Sequence, residues 1–262
     1  MMDLGLENKK AIVIGAARGL GAAIAQSLLE EGAEVIAFVR DTQALTEAHA
    51  HLPEEQKQRL HAVSMDLGDI QSVKAAALKA EELGGADILV GNCGGPPPCA
   101  AEDAIHADWL KHFEAMAANL FWLTQSCLPK MKEQGWGRIA YITSSGVEQP
   151  IPRLALSNSI RSAVVGWSKS LANEVANKGV TVNCVLPGRI HTHRVDQLDQ
   201  AAATRQGKSV EEVALASKAS IPAERYGSPQ EFADVVTFLV SERASYVTGG
   251  KIRVDGGAIR SI

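Results

Sequence analysis

Cysteine is scarce in this chain, and charges of one sign are nowhere concentrated. Four cysteines among 262 residues show no regular spacing and no C-x-x-C pair, which predicts free thiols in a reducing cytoplasm. Nothing near Cys93 or Cys99 completes a metal-ligand set, so no metal is expected. Lys and Arg total 26 against 30 Asp and Glu, a formal net charge of −4. Without a basic or acidic block, we expect no nucleic-acid partner and no binding to an anionic membrane.

The first ten residues lack a long apolar run. They carry Asp3, Glu7, Lys9 and Lys10, and the first apolar run of the chain is only a few residues long. This pattern predicts neither a signal peptide nor a membrane span, so we expect a cytoplasmic protein.

Short apolar runs alternate with longer amphipathic stretches along almost the whole chain. The runs are apolar throughout, as strands buried on both faces of a sheet are. They are Ala11–Ile14, Val35–Val39, His61–Ser64, Ile88–Val90, Arg138–Thr143, Val180–Leu186 and Lys251–Val254. Stretches such as Gly21–Glu31, Ile70–Leu83 and Ser159–Asn177 carry apolar residues at the three- and four-residue spacing of helices. The alternation predicts a single α/β domain over residues 1–262, a doubly wound parallel sheet of about seven strands with helices on both faces.

One segment breaks the alternation. Arg189 to Arg225 is long, polar and without a strand candidate, and it follows the sixth predicted strand. An insertion after the end of a strand is where a lid or substrate loop belongs, so residues 189–225 are the predicted substrate loop.

A glycine-rich loop, Gly15 to Gly21, follows the first strand with the pattern G-x-x-x-G-x-G. Three glycines between a buried strand and a helix let the backbone pass close to a phosphate and leave free N–H groups at the helix N-terminus. The spacing differs from the standard dinucleotide fingerprint, so the loop by itself indicates only an anion site.

Polar and glycine residues also follow the ends of later strands, which is where ligands of open α/β sheets bind. Asp66 follows the third strand, Asn92 and Gly94 the fourth, Ser144 the fifth, and Pro187-Gly188 the sixth. Two of these have simpler explanations, because Asp66 could cap the next helix and Pro187-Gly188 could be an ordinary turn.

Together these pieces resemble the short-chain dehydrogenase/reductase family over almost the whole chain, from Leu6 to Gly257. The matching residues are Gly15, Gly19 and Gly21, Asp66-Leu67, Asn92-x-Gly94, Asn119-Leu120, Ser144, Thr181-Val182-Asn183, Pro187-Gly188-x-x-x-Thr192 and Val254-Asp255-Gly256-Gly257. The resemblance implies a Rossmann fold, a nicotinamide dinucleotide cofactor, and hydride transfer to or from a small carbonyl compound or secondary alcohol. It also implies a homotetramer or homodimer that assembles through the long helices around Trp109–Met131 and Ser159–Asn177.

The resemblance also assigns the cofactor-binding residues. They are Gly15, Arg18, Gly19, Leu20, Gly21, Arg40, Asp66, Leu67, Asn92, Gly94, Arg161, Pro187, Gly188, Ile190 and Thr192. Asp66 would contact the adenine, and Asn92 and Gly94 would line the adenosine side. The nicotinamide end would be held by Pro187, Ile190 and Thr192.

The residues at the end of the second strand indicate whether the cofactor is NAD or NADP. An NAD enzyme places an acidic residue there for the ribose 2′-hydroxyl, whereas an NADP enzyme needs cations for the 2′-phosphate. That position is Val39 in this chain, Arg40 follows it, and Arg18 lies in the glycine-rich loop. These residues favour NADP(H) over NAD, although Asp41 could instead pair with Arg40 in a surface salt bridge.

The catalytic residues depart from the family pattern. The family uses a tyrosine as proton donor, a lysine four residues later, a serine and an asparagine. Here Asn119 and Ser144 are in place, but Ser157 occupies the tyrosine position and Arg161 the lysine position. Serine is a far weaker acid than a phenol, and arginine keeps its proton at working pH. Proton transfer is therefore rerouted or lost.

Several groups could take over the proton transfer. His191 and His193 follow the sixth strand and could titrate near neutral pH, and water delivered through Asn119 and Ser157 is a further route. Glu148 and Arg153 lie in the loop before the helix that carries the serine and could face the substrate. Arg153 or Arg161 could stabilise a developing alkoxide electrostatically, without donating a proton. The sequence favours an NADP(H)-dependent oxidoreductase with an altered proton donor. The alternatives are a nucleotide-binding, catalytically impaired protein that acts as a sensor or inactive subunit, and a lyase or isomerase that uses the same pocket.

Overall fold

Seven strands form one sheet in the computed structural model, which describes residues 3–262. They are β1 (Lys10–Ile14), β2 (Glu34–Val39), β3 (Leu60–Ser64), β4 (Ile88–Asn92), β5 (Gly137–Ile142), β6 (Val180–Pro187) and β7 (Lys251–Val254). Every neighbouring pair is parallel, and the order across the sheet is β3-β2-β1-β4-β5-β6-β7. The predicted strands and the doubly wound parallel sheet are confirmed.

Ten α-helices surround the sheet within the described residues. They are α1 (Gly19–Glu30), α2 (Thr42–Ala48), α3 (Glu54–Gln58), α4 (Ile70–Glu82), α5 (His106–Phe113), α6 (Asn119–Glu133), α7 (Ala155–Val175), α8 (His193–Gln206), α9 (Val210–Ala219) and α10 (Pro229–Leu239). Several begin at side chains that cap their first N–H groups. Asp41 caps α2 and Asp69 caps α4, while Ser209 and Ser228 form capping boxes at α9 and α10.

Successive strand residues point into two apolar layers, as strands buried on both faces require. On β1, Ile12 and Ile14 belong to the layer that includes α4, α6 and α7. Ala11 and Val13 belong to the layer that includes α1 and α10. The helices therefore cover both faces of the sheet and leave its carboxyl edge for the site.

The strand order reverses between β1 and β4. β1 pairs with β2 on one side and with β4 on the other. At this point the connections leave the sheet in opposite directions, and the crevice between them is the usual ligand site of open α/β sheets. The side-chain Nδ2 of Asn92 donates to the backbone oxygen of Ile14 at 3.2 Å and joins the two strand ends there.

Two predicted segments differ in detail. The helix expected around Trp109–Met131 runs through α5 and α6, but a π-helical turn, Glu114–Ala118, interrupts it directly before Asn119. Such turns insert an extra residue into the helix and are frequent at functional sites. None of the seven strands lies within residues 189–225, as expected. The segment does contain two helices, α8 and α9, where we predicted a loop.

No helix among residues 3–262 is both long and apolar enough to cross a membrane. Met1 and Met2 belong to the N-terminal segment in which we expect no signal peptide, and they lie outside the described residues.

Candidate functional site

The glycine-rich loop connects β1 to α1 in a conformation that needs glycine. Gly15 has φ +73°, in the left-handed region that favours glycine. A Cβ on Gly21 would collide with the carbonyl oxygen of Gly15, so the loop folds back tightly on the first turn of α1. Thr192 lies beside the same loop, since a Cβ on Gly19 would be 3.6 Å from the Cγ2 atom of Thr192.

The N-terminus of α1 has no side-chain cap. Arg18 occupies the cap position with extended backbone and makes no capping bond. Within the described part of the chain, the N–H groups of Gly19, Leu20 and Gly21 donate to no protein acceptor. Three unpaired N–H groups and the positive end of a 12-residue helix dipole form a site for an anion such as a phosphate.

Asp66 and Leu67 lie between β3 and α4. Asp66 is exposed, and one carboxylate oxygen accepts from the N–H of Gly68 at 2.9 Å. Asp69, not Asp66, caps α4, so the capping explanation for Asp66 is wrong. The backbone oxygen of Leu67 accepts a hydrogen bond from the Nδ2 of Asn119 at 2.8 Å, which connects this segment to the residue directly after the π turn.

Two arginines stand near the end of β2 and the glycine-rich loop. Arg18 and Arg40 are both exposed, and neither lies within ion-pair distance of a carboxylate in residues 3–262. The suggested pairing of Asp41 with Arg40 does not form, because Asp41 accepts from the N–H groups of Gln43 and Ala44 as the cap of α2. Both guanidinium groups are therefore available to an anionic ligand.

Ser157 and Arg161 lie one helical turn apart on α7 and are both about nine-tenths buried. The Nε of Arg161 lies 3.4 Å from the Oγ of Ser157. Its Nη1 donates to the backbone oxygen of Ile142 at 2.9 Å, and its Nη2 donates to that of Cys93 at 3.0 Å. The guanidinium thus bridges the ends of β4 and β5 at the carboxyl edge of the sheet.

A guanidinium has five N–H donors, and the fold does not use all of them. Nη1 also approaches the Sγ of Cys93 at 3.8 Å. Four contacts are made in total, which leaves one N–H of Nη2, the nitrogen nearest to Gly95. The Nη2 of Arg161 can therefore still donate a hydrogen bond to a ligand beside Gly95.

Ser144 follows β5 and begins the short 3-10 turn Ser145–Val147. Its Oγ accepts from the N–H of Gly146 at 3.0 Å, so the hydroxyl proton remains free to donate. A Cβ on Gly146 would collide with the Oδ1 of Asn158, which places this turn against the start of α7. The structure therefore brings the elements that carry Ser144 and Ser157 together.

None of the three tyrosines lies on α7, the helix on which the family resemblance predicts one. Tyr141 is fully buried and shares a 2.6 Å hydrogen bond with Thr124, and burial raises its pKa well above the usual value. Tyr226 donates to Asp199 at 2.7 Å. Burial, followed by the hydrogen bond and charge of Asp199, raises its pKa as well. Tyr246 is fully exposed before β7.

Backbone pairing joins the two ends of the predicted substrate loop. Ile190 forms an isolated parallel bridge with Gly227, and the N–H of Gly227 donates to the oxygen of Arg189 at 3.0 Å. Asp199 on α8 is 3% exposed and accepts from Arg189 at 2.6 Å and from Tyr226 at 2.7 Å. This buried carboxylate links α8 to both ends of residues 189–225.

Pro187-Gly188 is not an ordinary turn. Pro187 pairs with Val254 as the last residue of β6, and the N–H of Gly188 donates to the oxygen of Val254 at 2.9 Å. A Cβ on Gly188 would lie 2.6 Å from the Cα of Asp255, so only glycine fits between the two strand ends.

The other candidate proton donors have different surroundings. Glu148 is bound by Lys251 and Arg253, each at 2.9 Å, and so joins the loop after β5 to β7. His191 is exposed and lies 3.4 Å from Asp196, while the exposed His193 contacts Gln197.

Across residues 3–262, no group of three or more His, Cys, Asp or Glu side chains is arranged to hold a metal ion.

Comparisons with known proteins cover nearly the whole chain. The family model described as "Enoyl-(Acyl carrier protein) reductase" matches residues 15–258. Nodulation protein G of Azospirillum brasilense is 36% identical over 254 residues, with 96% of this chain and 98% of that protein covered. The 3-oxoacyl-(acyl-carrier-protein) reductase of Aquifex aeolicus is 34% identical over 258 residues, with 98% and 99% covered.

The fold is also similar to a solved structure that contains cofactor and substrate. L-sorbose reductase from Gluconobacter frateurii, complexed with NADPH and L-sorbose, superposes with a TM-score of 0.93 at 30% identity, and both chains are covered completely.

Proposed function

The chain belongs to the short-chain dehydrogenase/reductase family and is an NAD(P)-dependent oxidoreductase that acts on a CH–OH or C=O group; from this premise we propose that it uses NADP(H) and transfers the proton without a tyrosine. The observation that carries the proposal is the pair Ser157 and Arg161, 3.4 Å apart on α7, in the absence of a tyrosine at that site among the described residues. The similar reductases do not favour an inactive sensor or subunit.

The residues present fit a dinucleotide. The uncapped N-terminus of α1 offers its N–H groups to the pyrophosphate. Gly94 is exposed, and a Cβ there would meet nothing within 4 Å, which leaves room for the adenosine. Ile190 and Thr192 would hold the nicotinamide end, with Thr192 already beside the glycine-rich loop. When bound, the nicotinamide supplies or accepts the hydride.

The preference for NADP(H) follows from Arg18 and Arg40. Both are exposed cations near the site, and the end of β2 carries the buried Val39 where a carboxylate would bind a ribose 2′-hydroxyl. Two guanidinium groups match the charge and geometry of a 2′-phosphate. The similar L-sorbose reductase was solved with NADPH, which supports the same choice here.

In the proposed reduction, Ser144 and Ser157 hold the substrate oxygen through their hydroxyl groups. A carbonyl that accepted a hydride would gain negative charge on that oxygen, and the nearby charge of Arg161 would stabilise it. Arginine cannot release its proton at working pH, so the proton on the product oxygen comes from water through the serine hydroxyls. Asn119, whose Nδ2 is held by Leu67, keeps its Oδ1 for that water.

The proposed assembly is a homodimer or homotetramer through the helices on one face. On α5, Leu110 is 61% exposed and Phe113 is 42% exposed, and both line an apolar hollow of about 430 Å³. Phe121 and Trp167, by contrast, stack on each other with ring centroids 4.1 Å apart. A second copy of the chain that covers α5 would remove the exposed apolar surface from water.

The test is a single-turnover measurement of NADPH absorbance against a panel of ketones and aldehydes. Oxidation of bound NADPH by at least one carbonyl compound supports the proposal. Tight NADPH binding without oxidation by any member of the panel would falsify it.

A further inference from the structure

His49 is a buried histidine that the proposed reaction does not use. It is 3% exposed, and its Nε2 lies 3.0 Å from the backbone oxygen of Ala16 in the glycine-rich loop. Because a carbonyl oxygen only accepts, Nε2 carries the proton and donates it. Nδ1 is buried and has no hydrogen-bond partner in the part of the chain that the structure describes, so the ring is neutral.

The hydrogen bond from His49 orients the peptide between Ala16 and Ala17, one residue before Arg18. The C=O of Ala16 and the N–H of Ala17 belong to one planar trans peptide and point in opposite directions. His49 draws the carbonyl oxygen toward itself and thereby turns the N–H of Ala17 to the other side of the loop. Arg18 follows with extended backbone (φ −163°, ψ 162°).

The same histidine ends the helix that begins beside Arg40. Asp41 caps α2 through the N–H groups of Gln43 and Ala44, both at 3.0 Å. At the other end, the N–H of His49 donates to the oxygen of Leu45, which is 1% exposed and anchors α2 in the core. One short segment therefore has Arg40 at its beginning and the link to the glycine-rich loop at its end.

We propose that His49 is a positioning residue for cofactor selectivity. Its hydrogen bond to Ala16 fixes the glycine-rich loop against α2 and so sets Arg18 and Arg40 at the spacing that a ribose 2′-phosphate requires. The inference rests on the proposed preference for NADP(H). A purely structural role would change the affinities for NADPH and NADH together, whereas a positioning role changes their ratio.

The experiment measures dissociation constants of NADPH and NADH by calorimetry for the wild type, three variants of His49 and one control variant. His49→Leu fills the space but cannot donate, and we expect it to lower the preference for NADPH about tenfold, equivalent to about 1.4 kcal/mol. His49→Gln places an amide nitrogen near the position of Nε2 and should retain the wild-type ratio. His49→Asn is too short to reach Ala16 and should behave like His49→Leu, which keeps the test valid if the leucine variant does not fold.

The neighbouring histidine provides the matched control. His51 is exposed and contacts Gln26 at 3.3 Å, so His51→Leu should leave both dissociation constants unchanged. A wild-type ratio in His49→Leu or His49→Asn, or equal weakening of both cofactors, overturns the inference. Failure of the underlying NADP(H) proposal is distinct, because the wild type itself would then bind NADPH no better than NADH.

Discussion

Arg161 and Ser157, one helical turn apart on α7, form a contact of 3.4 Å between Nε and Oγ. The arginine is held by backbone oxygens at the ends of two strands, so its charge is fixed at the carboxyl edge of the sheet. In the proposed function, a weakly acidic hydroxyl beside this permanent cation takes the place of the family's tyrosine and lysine. This exchange can be reversed by substitution.

We expect the double variant Ser157→Tyr/Arg161→Lys to reduce carbonyl compounds faster than the wild type. A tyrosine beside a lysine cation has a lowered pKa and can donate the proton directly. General acid catalysis typically contributes 10²- to 10⁴-fold, so we expect a gain of about 100-fold in kcat. Steady-state NADPH oxidation measures it.

The single variant Ser157→Tyr serves as a control for the pair. Ser157→Tyr alone should gain less, because the guanidinium of Arg161 is held by Ile142 and Cys93 and cannot move aside for the larger phenol. A folded double variant that binds NADPH without any gain in rate would show that the substrate side has diverged as well.

Arg40→Ala tests the cation at the end of β2. A charge-assisted hydrogen bond to a 2′-phosphate contributes about 1.5–3 kcal/mol, so we expect NADPH to bind roughly 10- to 100-fold more weakly. NADH lacks that phosphate and should bind almost unchanged. Arg260→Ala, another exposed arginine in the chain, is the matched control and should alter neither affinity. Equal losses for both cofactors would refute the role in 2′-phosphate binding.

The parts of the molecule that sequence predicts well are those with local causes. The strands follow from short apolar runs, and the sharp turn at Gly15 follows from glycines between a strand and a helix. The capping box Ser209–Glu212 was a readable signal for α9 inside the predicted substrate loop, but the polarity of that stretch favoured a loop instead. Local chemistry thus defines the elements and their order.

The residues that sequence could not assign depend on neighbours far away in the chain. His49 contacts a loop 33 residues earlier, and Tyr226 contacts a carboxylate 27 residues earlier. No spacing signals either contact, because both exist only after the helices pack. Asp66 shows the same limit, since its position before α4 resembles a cap although Asp69 fills that role.

Tyr226→Phe should loosen the substrate loop. Tyr226 donates to the buried Asp199 at 2.7 Å, and loss of a hydrogen bond to a buried carboxylate costs about 1.5–3 kcal/mol. Among residues 3–262, Asp199 then keeps Arg189 as its only side-chain partner. Residues 192–224 should be cleaved roughly tenfold faster in limited proteolysis, which corresponds to an opening equilibrium shifted by about 1.4 kcal/mol. Tyr246→Phe removes a fully exposed hydroxyl and is the control. Equal cleavage of both variants would disprove the link.

His49 also predicts a pH dependence of stability. Burial lowers its pKa, and the like charge of His51 lowers it further, against the raising effect of the Ala16 hydrogen bond. In the unfolded chain the pKa is about 6.5, so below that pH the unfolded state binds a proton that the folded state does not. The free energy of unfolding should therefore fall as pH drops from 7 toward 5, while above pH 7 His49 adds no pH dependence.

His49→Gln isolates that contribution, because glutamine can donate to Ala16 but does not titrate. We expect urea unfolding of the wild type to lose more stability between pH 7 and pH 5 than that of the variant, by up to about 1.4 kcal/mol for each pH unit by which the pKa is lowered. His51→Gln, at the exposed neighbour, should follow the wild-type curve closely. Parallel curves for the wild type and His49→Gln would mean that the buried ring takes up its proton in the folded state, and that it does not hold Ala16 as a neutral donor.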